Sequence, residues 1–230
     1  MKIHGLQKLT LLDYPEHTAC TVFLAGCDLD CPFCHNSELI GGGAPVLMEE
    51  NELLAFLRKR KGILDGVAFT GGEPLLRPDL PDVMAAIREE GFQIKLDTNG
   101  YHPEALAQVL EKGLADYIAM DIKNSPEKYA ETAGMETMDL GRIRESIRIL
   151  IEGGRSDYEF RTTVIDPLHD EESFRAIGPM IKGAKKYFLQ AFEDRDTVRF
   201  AGFSAPSKEK MEGYAELVRP YVQSVRLRGI

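Results

Sequence analysis

Cys20-Thr21-Val22-Phe23-Leu24-Ala25-Gly26-Cys27-Asp28-Leu29-Asp30-Cys31-Pro32-Phe33-Cys34 decides how the rest of the chain is read. Its first six residues are an apolar run of the kind that fills a buried strand, and the run breaks at Gly26, so a strand ends where three cysteines begin. A strand leading into a loop of chemically active side chains is the unit of parallel α/β architectures, whose sites are built on the loops after the C-terminal strand ends.

The same unit recurs along the chain. Strands are expected at Cys20–Ala25, Gly66–Thr70, Phe92–Asp97, Tyr117–Ile122, Tyr158–Ile165, Tyr187–Phe192 and Val222–Leu227. Helices fit Glu49–Arg60, Leu80–Glu90, Pro103–Lys112, Leu140–Glu152, Asp170–Ile181 and Lys208–Arg219, each with apolar residues at roughly 3.6-residue spacing. Glu90-Gly91, Lys112-Gly113 and Gly153-Gly154 stand where helices should stop. The expected fold is α/β, a partial (β/α)6 TIM-like barrel with parallel strands, because a complete eight-stranded barrel typically needs ~250 residues. No repeat, low-complexity segment or linker divides the chain, so residues 1–230 are read as one domain.

Composition excludes several classes. A net charge of −9 without a Lys/Arg block argues against nucleic acid as a partner. No apolar run approaches the ~20 residues of a membrane span, and Met1-Lys2-Ile3-His4-Gly5 lacks a signal-peptide core, so no membrane association and a cytoplasmic location are expected.

Three of the four cysteines lie in Cys27-x-x-x-Cys31-x-x-Cys34, and none follows them. Clustering of this kind in a cytoplasmic chain points to metal rather than disulfides. Thiolates are iron–sulfur ligands, and three of them on a [4Fe–4S] cluster leave one iron open, as a cluster that binds substrate or cofactor requires. The competing reading is a zinc knuckle with Cys20 or His35 as fourth ligand. Cys20 sits in the apolar run, where a free cysteine acts as a small hydrophobe, and no second Cys-x-x-Cys or His pair is present.

Polar residues gather at the other strand ends. Thr70-Gly71-Gly72-Glu73-Pro74 offers glycines that let a ligand reach the backbone and a carboxylate for an ammonium group, though a plain strand-ending turn has the same letters. Asp97-Thr98-Asn99-Gly100 reads as binding residues or a turn, and Asp121 with Lys123 as binding residues or a surface ion pair. Arg161 and Thr163 on the fifth strand and Gln190 on the sixth alternate with apolar neighbours as barrel-lining groups would. His35 adjoins the cysteines, whereas His4, His17, His102 and His169 read as surface or capping residues.

The cysteine motif, with Phe33 before its last cysteine, together with Gly71-Gly72-Glu73-Pro74 resembles the radical S-adenosylmethionine superfamily. Cys34-His35-Asn36, Asp97-Thr98-Asn99-Gly100 and Asp121-Ile122-Lys123 are similar to the branch that activates glycyl radical enzymes. Leu11-Leu12-Asp13-Tyr14-Pro15 and Val225-Arg226-Leu227-Arg228-Gly229 are similar to activating proteins of anaerobic ribonucleoside-triphosphate reductase. The resemblance implies that Cys27, Cys31 and Cys34 bind three irons and that the amino and carboxylate groups of S-adenosylmethionine chelate the fourth. Reductive cleavage would then yield a 5′-deoxyadenosyl radical that takes hydrogen from a partner's glycine. It places Phe33 and His35 at the adenine, Gly71, Gly72 and Glu73 at the amino group, and Asp121 with Lys123 at the ribose and carboxylate. Asn99, Arg161 and Gln190 are further candidate contacts, and Asp97, Thr98 and Asp121 match positions that can hold a monovalent cation.

The implied partners are a glycyl radical enzyme, anaerobic ribonucleotide reductase first among them, and flavodoxin or ferredoxin as electron donor. Phe192–Phe203 lacks the late histidine of pyruvate formate-lyase activases, and no extra cysteines exist for further clusters, so one cluster is expected. The alternatives are a radical S-adenosylmethionine enzyme acting on a small molecule, such as a modified-nucleobase precursor, and a non-catalytic zinc-binding module.

Overall fold

The structure is a computed structural model and describes residues 1–154 and 156–230. Strands β1 (Lys2–Ile3), β2 (Gly5–Thr10), β3 (Ala19–Leu24) and β4 (Met48–Glu49) precede the regular alternation α1 (Glu50–Arg58), β5 (Gly66–Gly71), α2 (Leu80–Glu89), β6 (Gln93–Thr98), α3 (Pro103–Glu111) and β7 (Tyr117–Asp121). The chain continues through α4 (Tyr129–Thr132), α5 (Leu140–Gly153), β8 (Asp157–Val164), α6 (Glu171–Met180), β9 (Tyr187–Ala191), α7 (Lys208–Val218) and β10 (Val225–Arg228). The main sheet has eight strands in the order β10-β9-β8-β7-β6-β5-β3-β2, and every pair is parallel except β2 with β3. It forms the partial TIM-like barrel, with the amphipathic helices packing their apolar faces on its outside around one continuous core.

To the expected parallel strands the structure adds one antiparallel edge strand, β2. Gln7, Lys8 and Leu9 are exposed on it, so it lacks the apolar face that marks the other strands. The seventh expected strand starts at Val225 instead of Val222, because Arg219–Tyr221 first closes a 3-10 turn. The short helix α4 was not foreseen.

The two terminal motifs plug the N-terminal end of the barrel. Tyr14 is buried against Ala19 and Tyr117, and its ring fills the space that a side chain at Gly66 would need. Asp13 accepts from the Thr21 hydroxyl at 2.5 Å. Arg228 donates to both oxygens of Glu159 at 2.8 and 2.9 Å, and Tyr117 donates to the same carboxylate at 2.8 Å. This satisfies a carboxylate that is only 1% exposed.

At the start of α6 the Asp170 carboxylate accepts from Ser173 N at 2.9 Å and receives the Lys128 ammonium on its other oxygen. The Lys128 bond holds its carboxyl down to about 2. Because the folded value lies below the unfolded one, the cap contributes fully above the ordinary carboxylate range and is lost as pH falls through about 2. Asp170→Ala should lower the unfolding free energy by about 1 kcal/mol at pH 7, read from the urea midpoint.

Candidate active site

The cysteine loop is seated by the chain's own backbone. After β3, Gly26 N donates to Leu39 O at 2.7 Å and Cys27 N to Ile40 O at 3.1 Å. From the end of β5, Gly72 N donates to Leu24 O and Glu73 N to Gly26 O, both at 2.8 Å, while Asn36 donates to Gly71 O at 3.0 Å. A Cβ at Gly71 would lie 2.5 Å from Leu24 O, and one at Gly72 would lie 2.1 Å from Gly26 O. The first close neighbour that these glycines admit is thus the cysteine loop itself. Gly72→Ala should push Gly26 and Cys27 out of register and lower iron retention after reconstitution by about tenfold, the scale of losing a group that orients a ligand.

Glu73 extends the same brace. Its carboxylate is 1% exposed and accepts from Leu75 N at 3.0 Å, Thr98 Oγ1 at 2.9 Å and Asn99 N at 2.6 Å. Burial pushes its carboxyl up to about 7. The side chain joins the end of β5 to the end of β6 and is absent from the walls of the neighbouring cavity.

That cavity, of about 270 Å³, opens at the C-terminal ends of the strands. Cys27, Cys31 and Cys34 line one side with Phe33 and His35, and Gly71, Gly72, Asp97, Asn99, Asp121, Lys123, Arg161 and Gln190 line the rest. Every expected site residue except Glu73 meets in this one space. All three cysteines are free thiols. Burial pushes Cys27 up to about 12 and raises Cys31 and Cys34, so iron binding here must release protons. Cys31 and Phe33 belong to a small apolar cluster with Leu29, Ala133, Ile165 and Phe192, which makes the cysteine side of the cavity its apolar side. Among the described residues no three His, Cys, Asp or Glu side chains converge on one point as a zinc knuckle requires, whereas a cluster takes each cysteine on a separate iron.

The opposite wall is a chain of ion pairs. Arg161 donates from Nε to Asp121 Oδ1 at 2.6 Å and pairs through its terminal nitrogen with Asp97 Oδ2 at 3.0 Å. Lys123 holds Asp121 Oδ2 at 2.8 Å, and Lys95 holds Asp97 Oδ1. Although burial works against both carboxylates, Arg161 leads the neighbours that hold Asp121 well below the usual range and lower Asp97 as well. With Lys95 behind the wall, three cations face two carboxylates and leave the cluster positive, which suits an anionic group.

Lys95, Asp28 and His102 are participants that the letters did not single out. Lys95 shares a strand face with Asp97, two residues on, and that alternation was the available signal. Asp28 accepts from Asn99 Nδ2 at 3.0 Å and pairs with His102 at 2.8 Å, while the same amide lies 3.9 Å from Cys27 Sγ. His102, read as a surface or capping residue, therefore braces the cysteine loop. His169 is buried and bridges Ile165 N and Lys123 O, and His4 accepts from Ala25 N at 3.1 Å.

A strap formed by residues 193–204 follows β9 and crosses the cysteine loop. His35 bonds Glu193 O at 2.7 Å and stacks on Phe192, Ser37 donates to Thr197 O at 2.6 Å, and Arg199 pairs with Asp30.

The family model for the radical SAM superfamily matches residues 21–177. A protein of Methanocaldococcus jannaschii assigned as a glycyl-radical enzyme activating enzyme is 30% identical over 237 residues, covering 99% of this chain and 96% of that protein. A 7-carboxy-7-deazaguanine synthase of Thermococcus kodakarensis is 33% identical over 194 residues, covering 75% of this chain and 73% of that enzyme. In structure, the chain is similar to Streptococcus suis SuiB bound to its precursor peptide SuiA, with a TM-score of 0.72 at 14% identity, over 91% of this chain and 48% of SuiB.

Proposed function

The chain belongs to the radical S-adenosylmethionine superfamily, and from that membership we propose that it removes hydrogen from a glycine of a partner glycyl radical enzyme, anaerobic ribonucleoside-triphosphate reductase. Members of the family use a [4Fe–4S] cluster and S-adenosylmethionine, which together supply one-electron bond cleavage and hydrogen abstraction. The observation that carries the reading is the pairing, across one cavity, of three free thiols with a positive wall built by Arg161 and Lys123.

Cys27, Cys31 and Cys34 would hold the cluster, and the fit lies in their number, their soft donor atoms and their shared cavity. Lys123 and Arg161 would hold the carboxylate of S-adenosylmethionine with the N–H groups that Asp97 and Asp121 leave over. The backbone of Gly71 and Gly72 lines the cavity near the cysteines, where an amino group would sit, and Phe33 with His35 offers flat faces to the adenine. Asn99 would act through Cys27 and Asp28, since its amide already points at both. Leu29, Phe33, Ile165 and Phe192 exclude water from the place where the reactive groups meet.

A protein substrate is favoured by the near-complete overlap with the activating enzyme, while the deazaguanine synthase overlaps three quarters of this chain and supports a small-molecule substrate. Flavodoxin or ferredoxin would supply the electron. The test is anaerobic incubation of reconstituted, reduced protein with the reductase and S-adenosylmethionine. A glycyl doublet in the electron paramagnetic resonance spectrum is expected. Cleavage of S-adenosylmethionine without a doublet, at a rate raised by a purine-like substrate, would transfer the chain to the second reading.

A further inference from the structure

The monovalent cation implied beside Asp97, Thr98 and Asp121 finds no side-chain oxygen there without a partner. All four carboxylate oxygens are engaged: Asp97 by Lys95 and Arg161, and Asp121 by Arg161 and Lys123. The Thr98 hydroxyl donates to Glu73 Oε1 at 2.9 Å and accepts from Gly100 N at 3.0 Å, so it too is already engaged. An added metal ion would have to displace an ammonium or guanidinium from a carboxylate while standing among three positive side chains. The residues present do not fit it.

We propose that the chain carries this cation covalently. Lys95 is 2% exposed, lies beneath Asp97 on the same face of β6 and does not reach the cavity wall, so its ammonium occupies the position that a dissolved ion would otherwise take. It is a positioning residue: it holds Asp97, Asp97 holds one end of Arg161, and Arg161 fixes Asp121 and the positive wall. Binding and cleavage of S-adenosylmethionine are therefore indifferent to sodium and potassium. This stands apart from the identity of the partner, because both measurements are made without it.

The experiment compares the affinity for S-adenosylmethionine, by titration calorimetry on anaerobically reconstituted protein, and its cleavage in sodium, potassium, ammonium and tetramethylammonium chloride at one ionic strength. Wild-type values should agree within about twofold across all four salts, and Lys95→Arg, which keeps a covalent cation, should be equally indifferent to the salt whatever its absolute affinity. Lys95→Met should bind about tenfold more weakly in tetramethylammonium, the scale of losing a group that orients the ligand-binding residues, and recover in potassium or ammonium. Broadening of the thallium-205 resonance by Lys95→Met, and not by wild type, would report the ion directly. A tenfold loss by wild-type protein in tetramethylammonium would overturn the proposal, and so would a folded Lys95→Met that no small cation restores. The wild-type comparison decides the matter even where the variant does not fold.

Discussion

Cys31→Ala protein is expected to fold, to retain far less than the iron of the wild type after anaerobic reconstitution, and to cleave S-adenosylmethionine on the order of a thousandfold more slowly, because ligands that act as a unit lose function together. The expected stability follows from the site of the change. Cys31 lies in a small apolar cluster with Leu29, Phe33 and Phe192, where alanine exchanges one small apolar group for another. The effect on iron follows from the absence of a substitute: Cys20, the other cysteine, points into the main core, where burial pushes its thiol up to about 12. Cys20→Ala should accordingly leave iron content unchanged. Iron analysis and the optical spectrum check both statements, and a Cys31→Ala protein with a full complement of iron would move the cluster elsewhere.

Arg161→Met should be the most destabilising single change at the cavity. The guanidinium is shared by two carboxylates, so its removal strands Asp97 Oδ2 and Asp121 Oδ1 together in the barrel interior. Because Asp97 keeps Lys95 and Asp121 keeps Lys123, the loss is that of charge-assisted hydrogen bonds in a partly buried site, about 1.5–3 kcal/mol. Adding Asp97→Asn should therefore recover part of the loss, as a double-mutant cycle in urea would register. Acid provides a second reading. Arg161 is the first of the neighbours that depress both carboxyls, so in the wild type their contribution is complete above the ordinary carboxylate range and disappears as pH falls. With less depression left to lose, the variant's stability should fall less steeply below about pH 4. An undiminished slope would assign the acid sensitivity to other groups.

The βα alternation was legible because the periods of two and 3.6 residues survive in the letters wherever one face of an element is buried. Strand β2 escaped because an edge strand with Gln7, Lys8 and Leu9 exposed needs no such face. The strand-end residues were legible for a topological reason: parallel strands deliver their C-terminal ends to one rim, so Asp97, Asp121 and the cysteines had to be neighbours. What the letters withheld was how each polar group is spent. Glu73 has the composition of a ligand-binding residue, yet its carboxylate is filled by Leu75, Thr98 and Asn99. The glycines before it admit Leu24 and Gly26 as close neighbours, and Lys95, a cation inside a strand, takes its meaning only from Asp97 two residues on. Partnerships of this kind depend on register between strands, which no single segment encodes.

The strap over the cysteine loop also sets a timetable. The residues it joins are 158 to 169 positions apart, from His35–Glu193 to Asp30–Arg199. At a synthesis rate of about 5–20 residues per second, the cysteines leave the ribosome roughly 10–30 seconds before the strap exists to cover them. Through that interval the thiols meet the cell unshielded, so oxygen reaches them most easily in the nascent chain, and cluster loading has its widest access before the last sixth of the protein is made.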